Sequence, residues 1–127
     1  MNASIVADSS LPDPRSDARR LALVDDDATT RRALKTLFEE EGWSVAAFAT
    51  GEDALEPIAR GAFTVLVTDN VLPGIRGIEL TRRARATNAS IRCVIISGYE
   101  QPPDIDVPWF TKPIDFDALV SSLERSI

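Results

Sequence analysis

From Arg20 onward, short aliphatic runs alternate with longer stretches whose apolar residues recur every three or four positions. Leu21-Ala22-Leu23-Val24 is the first run, and it stops at Asp25-Asp26-Asp27, as a buried parallel strand does where it emerges at its carboxyl end. Leu34, Leu37 and Phe38 then share one face of a helix, with Arg31, Arg32, Lys35 and Glu39 to Glu41 on the wet side and Gly42 ending it. Val45 to Phe48 predicts a second strand. Thr50 stands where an N-cap belongs, ahead of a helix that Pro57 makes short or kinked. Thr64 to Thr68 is the third apolar run, and it too ends on an acid, Asp69. Pro73-Gly74 and Gly77 mark an irregular loop before a third helix, begun by Ile78, Leu80 and Ala84 and basic on its outer face. Val94-Ile95-Ile96 predicts a fourth strand that stops at Ser97-Gly98. Residues 101 to 108 hold three prolines and no helical period, so no regular helix is expected there. Trp109-Phe110-Thr111 is a short fifth strand running into Lys112-Pro113. Asp115 opens a last helix that carries Phe116, Leu119, Val120, Leu123 and Ile127 on one face. Strands alternating with helices predict an α/β fold, a doubly wound five-stranded parallel sheet covered on both sides. Residues 1 to 18, rich in Ser, Asp and Pro without an apolar period, read as a flexible tail ahead of a domain over 19–127.

Composition narrows the function. The chain has 127 residues, room for one domain of ordinary size, and its 44% apolar and 27% charged residues are those of a chain that folds by itself. Fourteen basic against twenty acidic residues give a net charge of −6, which argues against general binding to nucleic acid or anionic membranes. Arg76, Arg82, Arg83, Arg85 and Arg92 are a local exception. They read as the solvated face of the third helix, with a docking site for an acidic partner as the alternative. There is no histidine and one cysteine, Cys93, which reads as a small buried hydrophobe. Disulfides, thiolate or imidazole zinc sites and histidine-dependent triads are thereby excluded, and a metal here must be held by oxygen. No signal-peptide core or membrane-length apolar stretch is present, so a soluble protein of a reducing cytoplasm is expected.

In an open parallel α/β sheet the functional crevice lies outside the carboxyl ends of the strands. Here those ends carry Asp25, Asp26, Asp27, Asp69, Ser97 and Lys112. Two carboxylates roughly 4 Å apart repel by about 4 kcal/mol at an effective dielectric of 20, so such a cluster calls for a cation or for proton uptake. Mg2+, a hard ion that keeps several waters and takes one or two carboxylates, fits this donor set.

Four segments together resemble the receiver domain of two-component response regulators. They are Leu21 to Asp27, Leu66 to Gly77, Val94 to Gly98 and Phe110 to Pro113, in order at four strand ends, and the likeness runs from about Arg20 to Ile127. The resemblance implies a flavodoxin-like fold and phosphorylation of Asp69 by a histidine kinase or a histidine phosphotransfer protein. It further implies Mg2+ held directly by Asp26, Asp69 and the backbone carbonyl of Val71, and through water by Asp25. Lys112 would share the transferring oxygens, Ser97 would bond the phosphoryl group and draw its loop along, and Trp109 would report that movement, although it is as readily a packing residue. Lys112-Pro113 resembles the family's Lys-Pro turn, often cis. Asp27 falls outside the motif. Such a module is not an enzyme toward external substrates and catalyses only its own phosphorylation and dephosphorylation.

Two departures from the family pattern stand out. Only 14 residues separate Ser97 from Lys112, so the fourth helix should be one turn or missing, which shifts partner contacts to loops or to the last helix. The positions flanking the path of the hydrolytic water are Val71, which cannot orient a water, and bulky Tyr99, so self-hydrolysis should be slow. Two other readings compete. Asp25-Asp26-Asp27-Ala28-Thr29 also resembles the motif of haloacid dehalogenase-like phosphatases, with Asp25 as nucleophile and Asp27 as acid, but 15 residues after Lys112 leave little room for that family's later metal ligands, and Asp69 would go unexplained. A degenerate receiver used only for docking is the other, against which the full set of Asp25, Asp26, Asp69, Ser97 and Lys112 argues. Output is expected through protein contact, whether by a standalone regulator, a phosphorelay shuttle or phosphate sink, or a domain of a longer protein.

Overall fold

Five short strands form the centre of the molecule, and their apolar runs explain why both faces of the sheet are covered. The computed structural model describes residues 19–124. The predicted tail over 1–18 and Ile127 lie outside the described residues. In chain order the elements are β1 (Arg20–Val24), α1 (Ala28–Glu40), β2 (Ser44–Phe48), α2 (Gly51–Ala59), β3 (Val65–Asp69), α3 (Gly77–Thr87), β4 (Arg92–Ser97), β5 (Trp109–Thr111) and α4 (Phe116–Glu124). The sheet is parallel throughout, in the order β2-β1-β3-β4-β5. Successive side chains of a strand point to opposite faces, so each continuous run feeds two cores. Ala22, Val24, Leu66, Cys93 and Ile95 pack with Ala54 and Ile58 of α2 and Leu80 and Ala84 of α3. Leu21, Leu23, Val65, Val67, Val94 and Ile96 pack with Leu34 and Phe38 of α1 and Leu119, Val120 and Leu123 of α4.

The ends of the helices follow local chemistry. The Asp27 carboxylate caps α1 by accepting from the Thr29 N–H at 3.1 Å, and the Thr50 hydroxyl caps α2 by accepting from the Asp53 N–H at 3.2 Å. Gly42, at φ 93°, occupies the left-handed position just past α1, which L side chains rarely adopt. Helix α2 runs through Pro57 for two more residues and stops at nine, the short helix expected. One expectation fails: Leu37 is 39% exposed. A 100° step per residue puts it well round from Phe38, and α1 buries only the narrower stripe of Leu34 and Phe38.

Among the described residues no helix lies between β4 and β5. The connection is held by its own polar groups: Gln101 Nε2 donates to the carbonyls of Ile105 (2.7 Å) and Val107 (3.1 Å), and the Ile105 N–H donates to Pro102 O at 3.2 Å. One amide side chain thus replaces some of the backbone pairing that a helix would have supplied. Val107 is buried against the α2–α3 side of the sheet.

Candidate functional site

Strand register, rather than proximity in sequence, assembles the site. Val24 of β1 lies opposite Thr68 of β3, so the next residues, Asp25 and Asp69, emerge side by side. Asp69 pairs with Ile96, which sets Ser97 beside the acid, and Ser97 pairs with Thr111, which brings in Lys112. One carboxylate oxygen from each of Asp25, Asp26 and Asp69 lies within 4.8 Å of the others. Lys112 Nζ donates to Asp69 Oδ2 at 2.9 Å across 43 positions of sequence. The Lys112–Pro113 peptide is cis.

The three acids are not equivalent. Asp69 is buried, and its Oδ1 accepts from the Val71 N–H at 3.3 Å. Asp26 is exposed. Asp25 is buried, and burial pushes its proton affinity up; the Asp27 N–H bonded to its Oδ1 at 2.9 Å works against this, the charge of Asp69 adds to the rise, and Lys112 opposes it. Burial works against the charge of Lys112, but the hydrogen bond and charge of Asp69, with Asp25 and Asp26 behind, outweigh it and hold the ammonium above its ordinary range. Three carboxylates facing one ammonium leave excess negative charge on a donor set made only of oxygen, which suits a hard divalent cation. Asp27 stands apart. Its carboxylate is exposed and committed to the Thr29 N–H and the Thr30 hydroxyl, so it does not join Asp25 as a proton donor.

Ser97 is fully buried, and its Oγ accepts from the Tyr99 N–H at 3.1 Å. Tyr99 O in turn accepts from the Trp109 indole N–H at 2.9 Å, so a chain of two bonds joins Ser97 to the start of β5. Val71 and Tyr99 are 45% and 73% exposed. The loop after β3 closes on itself: the Gly77 N–H donates to Asn70 O, and Asn70 Oδ1 accepts from the Ile78 N–H, both at 3.0 Å. A Cβ on Gly77 would lie 2.5 Å from Asp69 O, so the start of α3 approaches the strand end more closely than any other residue allows. Glu52, absent from the residues singled out by the sequence, reaches this loop from α2. As a first-turn acid it looks like ordinary helix-dipole chemistry, and only the folded sheet brings it to Ile75.

Residues 21–124 match the response regulator receiver domain family. The chain belongs to that family. It is 33% identical over 116 residues to the response regulator receiver protein CpdR of Brucella abortus, covering 86% of this chain and 97% of that protein. Several other relatives are longer, and the chain spans 50%, 26% and 55% of three transcriptional regulators that it matches. The receiver domain of the hybrid histidine kinase CckA superposes with a TM-score of 0.73 at 29% identity, covering 84% of this chain and 97% of that one. The response regulator TrrA of Thermotoga maritima, solved in complex with Mg2+ and BeF, shares the fold at a TM-score of 0.78 and 24% identity, covering 86% of this chain and 99% of its own. This receiver is therefore a module of two-component phosphotransfer signalling, and the phosphatase reading of Asp25 and Asp27 gives way to it. No helix among the described residues is long and apolar enough to cross a membrane.

Proposed function

We propose that Asp69 is the phosphoacceptor of this receiver and that the acidic cluster holds Mg2+. The observation that carries the reading is the Lys112 ammonium bonded to Asp69 Oδ2, with Asp25 and Asp26 converging on the same carboxylate. Asp26 and Asp69 would hold the ion together with the Val71 carbonyl, with Asp25 supporting it through water. The ion, when bound, neutralises charge between the acceptor carboxylate and the incoming phosphoryl oxygens. An oxygen of Asp69 attacks the phosphorus of a phosphohistidine on a kinase or a phosphotransfer protein, the P–N bond breaks, and the imidazole leaves to take up a proton. Lys112 balances the charge on the transferred group. The Ser97 hydroxyl then donates to a phosphoryl oxygen, and through Tyr99 its displacement reaches Trp109.

On this reading the protein catalyses only its own phosphorylation and dephosphorylation, works in the cytoplasm and signals by protein contact rather than by binding nucleic acid. Apolar Val71 cannot orient the hydrolytic water and Tyr99 is bulky beside its path, so the phosphorylated state is long-lived. A test uses the Trp43→Phe variant, in which Trp109 is the one remaining indole. Mg2+ and beryllium fluoride added together should change its emission, neither alone should do so fully, and Asp69→Asn should abolish the response. A wild-type site that leaves both the emission and the amide NMR shifts of Asp69, Ser97 and Lys112 unchanged at saturating additions would overturn the reading.

A further inference from the structure

We propose that Glu52 is a positioning residue for the phosphoacceptor site: it holds, from helix α2, the loop that carries Val71 between Asp69 and Gly77. The inference rests on the metal-assisted reading of Asp69, because it concerns how well one backbone ligand of that site is placed.

The loop over residues 70–76 is firmly closed at its base, where Asn70 bonds both Gly77 and Ile78 and where the bare Cα of Gly77 lies against the Asp69 carbonyl. Its far side is held differently. Glu52 Oε2 accepts from the Ile75 N–H at 3.0 Å, a bond between residues 23 positions apart. Gly74, at φ 74°, passes directly under that carboxylate, and a Cβ there would overlap both its oxygens. Beside it, a Cβ on Gly51 would stand 2.9 Å from Ile75 Cγ1, so the Ile75 side chain fills the place left by a second glycine. Three independent features, a hydrogen bond and two glycine gaps, thus converge on one contact between the start of α2 and the turn of the loop. The Thr50 cap fixes the first turn of α2 and so sets where Glu52 begins its reach.

This contact bears on chemistry through geometry. Val71 has its N–H on Asp69 Oδ1, and its carbonyl is the one backbone oxygen the site reading assigns to the ion. A carbonyl ligand on a loop is only as well placed as the loop; this one is closed at its base by Asn70 and seated by buried Leu72, and without a hold on its far side it samples positions in which that oxygen is lost to the site. Glu52 supplies the hold on the far side.

The test compares wild type, Glu52→Gln and Glu52→Ala by calorimetric titration with Mg2+, each variant first shown to be folded. Gln retains an acceptor oxygen for the Ile75 N–H without the charge, whereas Ala removes it. Glu52→Ala should weaken Mg2+ binding about three- to tenfold, the scale of one lost hydrogen bond, while Glu52→Gln stays within about twofold. The Ile75 amide should exchange with solvent faster in the Ala variant alone. Glu52→Ser, too short to reach the Ile75 N–H, should reproduce the loss and serves in its place if Glu52→Ala fails to fold. Faster Ile75 exchange with unchanged Mg2+ affinity would overturn the proposal, as would equal weakening in the Gln and Ala variants, which would mark a charge effect. A wild-type protein that binds no Mg2+ would instead strike the underlying site reading.

Discussion

The carboxylate of Asp25 pays for its position at the end of β1 with a raised proton affinity, because it is buried beside Asp69. A carboxyl group that holds its proton more tightly when folded opposes folding once it ionises. Its contribution to stability is therefore greatest below the unfolded value of 3.8, declines as pH rises from there through the folded value, and stays unfavourable above it. Asp25→Asn, which keeps the oxygen that accepts the Asp27 N–H, should raise stability in urea near neutral pH without Mg2+ and flatten the profile in the window just above 3.8. An unchanged profile would mean that burial beside Asp69 puts no such cost on the charged form of Asp25. Lys112 has the opposite sense: its raised value keeps its contribution intact below 10.5 and loses it only as pH rises through the folded value, so it does not titrate in the same window. Val71 makes a kinetic counterpart. If Val71 flanks the path of the hydrolytic water as proposed, Val71→Asn should shorten the lifetime of the phosphorylated protein several-fold, followed as loss of label after the donor is removed. Rapid loss from wild type, unaltered by the substitution, would contradict the lifetime argued here.

At the level of elements, α2 shows what local chemistry contributes. Thr50→Ala removes the hydroxyl that accepts the Asp53 N–H and should cost about 1 kcal/mol, read as a lower urea midpoint at an unchanged slope. Such caps are legible in a sequence because they are local: Thr50 before Glu52-Asp53, Asp27 before Ala28 and Gly42 after Glu41 each act within a turn. The strands are legible for a related reason, since a run such as Val65-Leu66-Val67, buried on both faces, stays aliphatic until Thr68 and Asp69 at its carboxyl end. The missing helix between β4 and β5 was equally plain from three prolines in eight residues. Leu37 was misplaced because periodicity gives the direction of a helix's apolar face but not its width. Glu52 escaped notice altogether, because its partner is 23 positions away and meets it only through the order of the strands.

Across the whole molecule, one parallel sheet converts register into chemistry. The neighbouring strands β1, β3 and β4 lead into or end on Asp25, Asp69 and Ser97, and β5 hands on Lys112, so the proposed acceptor, the acidic cluster and the ammonium meet without any long insertion. From the same edge, the bonds from Ser97 to Tyr99 and from Tyr99 to Trp109 lead into the segment that replaces a helix. In the switch proposed for Ser97, a change at Asp69 would pass to a short, proline-rich connection tied largely by Gln101 rather than to a packed helix. The measurement that tests this account most directly is intact mass after incubation with Mg2+ and a small acyl phosphate, for wild type, Asp69→Asn and Asp25→Asn. Wild type should gain one phosphoryl group and Asp69→Asn none, with Asp25→Asn retaining the acceptor but reacting more slowly. Labelling that survives in Asp69→Asn and vanishes in Asp25→Asn, or no adduct on a folded wild-type protein that binds Mg2+, would contradict it.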